Sequence, residues 1–102
     1  MCGIIGISSN KSVSANIIDC LKKLEYRGYD SAGIATLSGG IINEVKSEGR
    51  VDNLEKNFDL KKLSGNIGIG HVRWATHGIP NSINAHPHSS DNVSVVHNGI
   101  IE

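Results

Sequence analysis

Apolar and polar positions alternate along this chain with a period that changes from one stretch to the next. Residues 3–8 (GIIGIS) form a short apolar run that predicts a strand, largely buried. Over residues 14–26 the period lengthens. Ile17, Leu21 and Leu24 recur at helical spacing, and Ile18 and Cys20 widen the stripe, so a helix is predicted with Cys20 as a buried core thiol. Ser12 or Ser14 is placed to cap its start, Lys22, Lys23 and Arg27 lie near its end, and Gly28 can terminate it. SAGIATL, the pair Gly39-Gly40 and IINEVKS predict a β-hairpin. Asp52 with Glu55 three residues on predicts the capped start of a short helix running through Phe58. NIGIGHVRW and NVSVVHN read as two further strands. Between them ATHGIPNSINAHPHSSD is a polar loop longer than about a dozen residues, a length at which loops carry function or are disordered.

The order strand, helix, hairpin, helix, strand, loop, strand predicts a mixed α+β architecture in 102 residues, one domain or part of one. The final HNGIIE follows a turn signal with no closing element, so the chain reads as cut short. Aromatic residues make up 4% of the chain, which leaves the core to Ile, Val and Leu, and the twelve glycines exceed the usual share and predict tight turns. Ten basic against ten acidic residues steer the chain toward neither nucleic acid nor an anionic membrane surface. No run approaches the ~20 apolar residues of a membrane span, and the N-terminus lacks the basic region and long apolar core of a secretory signal. With Cys2 and Cys20 as its two cysteines, the expected compartment is the reducing cytoplasm.

Chemistry first suggests itself at Cys2. Removal of Met1 would leave its thiol beside a free α-amine, groups that ordinarily titrate at about 8.5 and about 7.7–8.0, a matched nucleophile and base. Cys2 is equally an ordinary small residue opening a strand. His86 and His88 flank a proline, and no CxxC or HExxH accompanies them, so no metal site is expected; His71 and His97 fall in strand patterns suited to structural, hydrogen-bonded imidazoles. Gly68 and Gly70 make a GxG, but Arg73 stands where a dinucleotide loop needs its third glycine. Arg73 itself enters a loop with Trp74, Thr76 and His77. It either forms a surface ion pair or grips a carboxylate bidentately. Asn98-Gly99 is a hairpin turn or, through a side-chain amide and a glycine N–H, an oxyanion-stabilising pair.

Taken together, MCGIIG, RGYDSAG (27–33), HVRWATHG (71–78), NAHPH (84–88) and VVHNGIIE (95–102) follow the order and spacing of a known family. The chain resembles, over essentially all of its length, the N-terminal glutamine amidotransferase domain of the glutamine–fructose-6-phosphate aminotransferases. These belong to the class II, N-terminal-nucleophile amidotransferases. Asparagine synthetase and the purine-pathway enzyme are the alternative relatives, disfavoured by RGYDSAG and by Trp74 after the arginine. The resemblance implies a four-layer αββα sandwich of the N-terminal-nucleophile hydrolase type, here incomplete. It implies that Cys2 attacks the glutamine carboxamide with its own amine as base, and that Asn98 and Gly99 form the oxyanion hole. Arg27 would position the cysteine, Arg73 would hold the α-carboxylate with Thr76 and His77 assisting, and Trp74 would shield ammonia. His86 matches a family motif without an evident role.

No metal or cofactor is implied. The partners implied are glutamine, and fructose 6-phosphate through an isomerase domain that residues 1–102 do not contain, in a homo-oligomeric enzyme. The downstream acidic motif that binds the glutamine α-amine is likewise expected beyond Glu102. Weak glutaminase activity or none is therefore the expectation for these residues alone, with a non-catalytic fragment as the competing possibility.

Overall fold

The structure, a computed structural model, describes residues 2–60, 63–74 and 83–97, except the side chain of Arg27. Its frame is a four-stranded antiparallel sheet built from β1 (Gly3–Ser8), β2 (Ser31–Ser38), β3 (Ile41–Glu48) and β4 (Ile67–Arg73), in the order β1-β4-β2-β3. Helices α1 (Ser14–Leu24) and α2 (Asp52–Asn57) accompany it, and a small hairpin pairs β5 (His88–Ser90) with β6 (Val93–Val95).

Period-two alternation gives the sheet two dissimilar faces. On β4, Gly68, Gly70 and Val72 turn toward α1. A Cβ on Gly70 would stand 2.6 Å from Cγ2 of Ile17, and one on Gly68 2.7 Å from Cδ1 of the same residue. Two missing side chains thus let the helix settle onto the central strand. Ile17 and Leu21 are fully buried there, packed with Val13, Ile34, Val51, Leu54 and Val72. The core rests on aliphatic residues, as the scarcity of aromatics requires. Lys22 of α1 pairs with both Asp52 and Glu55 of α2, and these carboxylates raise its pKa, Glu55 foremost.

The other face carries Ile4, Ile69, His71 and Arg73 from β1 and β4 with Gly33 and Ala35 from β2, as the pairings Ile4↔His71, Gly33↔His71 and Ala35↔Ile69 require. Strand β1 is therefore not largely buried as expected. It is an edge strand whose Ile5 and Ile7 pack on the core while Ile4 remains 49% exposed.

Several local expectations change in detail. The helix ends at Leu24 and its last turn tightens to a 3-10 turn, Glu25–Arg27, closed by Gly28 at φ 111°. Neither Ser12 nor Ser14 caps α1. Val13 holds the N-cap position, and the Ser14 hydroxyl donates instead to the Leu60 carbonyl at 3.4 Å. Val51 likewise occupies the N-cap of α2, its N–H donating to the Glu25 carboxylate at 3.1 Å, which leaves Asp52 inside the helix facing Lys22. Cys20 is half-buried at the border of the apolar stripe rather than in the core. The β2–β3 hairpin forms as expected around Gly39 and Gly40, both at positive φ. Strand β6 is shorter than its alternation suggested, and β5 arises within the expected loop. Among the described residues no helix is long and apolar enough to cross a membrane.

Restoring a side chain beneath α1 tests the close seat. Gly70→Ala forces a methyl against Ile17 and is expected to cost about 1–3 kcal/mol of stability in urea unfolding. An unchanged midpoint would mean that the helix does not depend on this approach.

Candidate active site

Cys2 directly precedes β1, and the pairing of Gly3 with Val72 carries it alongside the end of β4. Its Sγ accepts the Trp74 N–H at 3.5 Å and lies 3.8 Å from the Trp74 carbonyl. The thiol is half-buried. A residue remote in sequence is thus seated by main-chain groups at the exit of the central strand.

Arg73 is the last residue of that strand. The Asp30 N–H donates to its carbonyl at 2.7 Å, and its Nη1 stands 3.8 Å from Asp30 Oδ1. The Ser31 hydroxyl donates to the same carboxylate oxygen at 2.8 Å, and the Gly49 N–H donates to the Asp30 carbonyl at 2.6 Å. The side chains of Arg73 and Asp30 are only 9% and 12% exposed. Of the two roles open to Arg73 in the sequence, the ion pair is present, but as a buried pair whose carboxylate is held by Ser31 rather than a surface one. Such a pair fixes a guanidinium in place at a desolvation cost that its hydrogen bonds must offset.

Trp74 is half exposed and its ring lies against Gly28. A Cβ there would meet Trp74 Cδ2 at 2.8 Å, and φ of 111° independently favours glycine. Arg27 closes the 3-10 turn immediately before Gly28, which brings its backbone to the same corner. RGYDSAG is therefore a positioning segment: Gly28 seats Trp74, Asp30 holds Arg73, and Gly33 makes room for the chain on the other side. A Cβ on Gly33 would stand 2.1 Å from the His86 carbonyl oxygen. Thr76, His77, Asn98 and Gly99 lie outside the described residues.

Beside Arg73 is a column of imidazoles that sequence reasoning did not assemble. His71 is fully buried and stacks on His86 with centroids 4.2 Å apart and planes at 17°, and His86 meets His88 at 4.4 Å and 56°. His71 Nε2 lies 2.9 Å from the His97 carbonyl oxygen, while the His97 N–H donates to His86 Nδ1 at 3.3 Å. His97 is not in a strand but two residues past β6. Burial above all, with the charge of Arg73 adding, pushes His71 down to about 4. Burial and the neighbouring rings of His71 and His88 do the same to His86, also to about 4. Burial and Lys46 lower His88. The only sequence signal for the column was the spacing HPH, which by itself suggested metal. Among the described residues no group of three His, Cys, Asp or Glu side chains is arranged to hold an ion.

Known proteins share this arrangement of sequence and fold. No protein-family model matches the chain. Over all 102 residues it is 58% identical to glutamine–fructose-6-phosphate aminotransferase from Mesorhizobium japonicum and 58% identical to that from Agrobacterium fabrum. The enzyme of the same name from Clostridium acetobutylicum is 60% identical over 104 aligned positions. In each case the whole chain is covered but only 17% of the relative, so the chain spans about one sixth of the length of the curated relatives it matches. Among solved structures, glutamine phosphoribosylpyrophosphate amidotransferase from B. subtilis superposes with a TM-score of 0.75 at 29% identity, covering 92% of this chain and 20% of that one. The described strands and helices are accordingly part of the N-terminal-nucleophile, class II amidotransferase fold.

Depressed imidazole pKa values link stability to pH. The unfolded chain binds protons near 6.5 where folded His71 and His86 bind them only near 4, so stability present above pH 6.5 is lost as pH falls toward 4. A loss of about 2 kcal/mol is expected between pH 7 and pH 5, after discounting for the solvent access of His86. That window lies above ordinary carboxylate titration. Urea melts at half-unit intervals check it, and flat stability from pH 7 to 5 would exclude buried neutral rings.

Proposed function

We infer from this kinship that the chain, which belongs to the glutamine–fructose-6-phosphate aminotransferase family, is the nucleophile-bearing first part of a glutamine amidotransferase domain. The observation that carries the proposal is the seat of Cys2 against the Trp74 main chain, one residue from the buried Arg73–Asp30 pair. Loss of Met1 exposes the Cys2 α-amine, which takes the thiol proton as Sγ attacks the side-chain carboxamide carbon of glutamine. The tetrahedral oxyanion is stabilised by Asn98 and Gly99, the carbon–nitrogen bond breaks, and the ammonium formed on Cys2 returns the proton to departing ammonia. Water then cleaves the γ-glutamyl thioester, releasing glutamate and restoring the thiol.

Arg73 holds the substrate α-carboxylate, with Thr76 and His77 assisting, and Asp30 fixes its guanidinium. Arg27 helps to position Cys2, and Trp74 covers the site and shields ammonia. In an enzyme of the relatives' length, that ammonia converts fructose 6-phosphate to glucosamine 6-phosphate. The identity of 58–60% with enzymes of this name, against 29% with the phosphoribosylpyrophosphate enzyme, favours the sugar over the purine reaction. The proposed setting is a cytoplasmic homo-oligomer, and the zero formal charge gives the chain no electrostatic pull toward nucleic acid or an anionic membrane.

Intact mass before and after exposure to an electrophilic glutamine analogue tests this, with Cys20 as the internal control. Loss of Met1 and a single adduct on Cys2, blocked by excess glutamine, is the expected result. In a protein of the relatives' length, Cys2→Ala should lower glutamine hydrolysis by at least ~10³-fold. Retained methionine, or equal labelling of Cys2 and Cys20, would remove Cys2 from the role of nucleophile.

A further inference from the structure

Both backbone polar groups of His97 are held by imidazoles from elsewhere in the chain. His71 Nε2 donates to its carbonyl at 2.9 Å, and its N–H donates to His86 Nδ1 at 3.3 Å. These contacts fix the tautomers. A carbonyl only accepts, so His71 carries its proton on Nε2; an amide only donates, so His86 Nδ1 is unprotonated. The orphaned His71 Nδ1, buried and with no hydrogen-bond partner among the described residues, is the counterpart of that choice. Parallel stacking of the two rings at 4.2 Å holds them as one unit, and Gly33 lets residue 86 approach the sheet closely enough to form it.

We propose that His71 and His86 are positioning residues that clamp the His97 peptide and thereby set the direction in which the chain enters Asn98-Gly99. This rests on the assignment of those two residues to the oxyanion hole. A rotation of the His97 peptide would turn the following backbone, and donors that stabilise an oxyanion act only when aimed within tenths of an ångström. The clamp is attached to β4 through His71, the strand that also carries Arg73 and ends at the seat of Cys2. One strand therefore registers the nucleophile, Arg73 and the His97 peptide against each other.

The test uses the protein as its gene encodes it. His71→Leu and His86→Leu remove the contacts. His71→Gln keeps a donor near the Nε2 position, and His86→Asn keeps an acceptor near Nδ1. Each Leu variant is expected to lower kcat for glutamine hydrolysis about 10²-fold. KM should change less than about threefold, and alkylation of Cys2 by iodoacetamide, which needs no oxyanion hole, should be unaltered. The conservative variants His71→Gln and His86→Asn should each recover at least about tenfold of the loss. Hydrogen exchange at the His97 amide supplies a readout independent of activity: slow in the parent and in His86→Asn, and at least about tenfold faster in His86→Leu.

Leu variants that retain parental kcat, or conservative variants no better than Leu, overturn the proposal. So does a His97 amide that exchanges without protection in the parent, which decides the matter even where a Leu variant fails to fold. A protected His97 amide in a protein that labels on Cys2 but hydrolyses no glutamine would instead refute the glutaminase assignment, and with it the catalytic purpose of the clamp.

Discussion

Everything in this structure depends on how closely other segments approach β4. On one face Gly68 and Gly70 admit Ile17 of α1 to distances at which any side chain would collide. On the other, His71 and Arg73 stand in the space that the strand's alternation gives them. The apolar seat below fixes the strand, and a strand fixed below presents its upper residues with little freedom to wander. Packing and chemistry are thus two consequences of a single period-two alternation.

The polar face is held by groups that resist desolvation in different ways. Arg73 stays charged and is matched by Asp30, which Ser31 and two main-chain contacts hold in turn. The imidazoles meet the same demand by remaining neutral, which is why burial depresses their proton affinity instead of calling up counter-charges. Neutral rings also suit a setting beside a cation. An imidazolium in the column would face Arg73 and its own neighbours at stacking distance, and the column would repel itself apart.

Much of the frame was legible in the sequence because it depends on local pattern. The α1 stripe, the Gly39-Gly40 hairpin and strands β1 and β4 follow from periodicity and turn chemistry within a few residues. What failed were choices decided by distant partners. Ser14 could serve the helix end or the Leu60 carbonyl, and Asp52 could cap or face Lys22; only tertiary placement settles which. Strand β5 was hidden because three residues of HSS carry no alternating pattern of their own and pair only once β6 is beside them. The motifs around Cys2 and Arg73 come together at one corner of the molecule. They could not reveal that Asp30 would be the partner of Arg73, nor that His71 and His86, fifteen positions apart in sequence, would share one stack.

Gly28, Gly33 and Gly70 each face an atom that a Cβ would strike, respectively the Trp74 ring, the His86 carbonyl oxygen and Ile17. Glycine alone lacks a Cβ, so every possible replacement at these positions brings one. Any missense change at these three positions adds bulk where another atom already stands, so one mutational event there disturbs two segments of the chain at once.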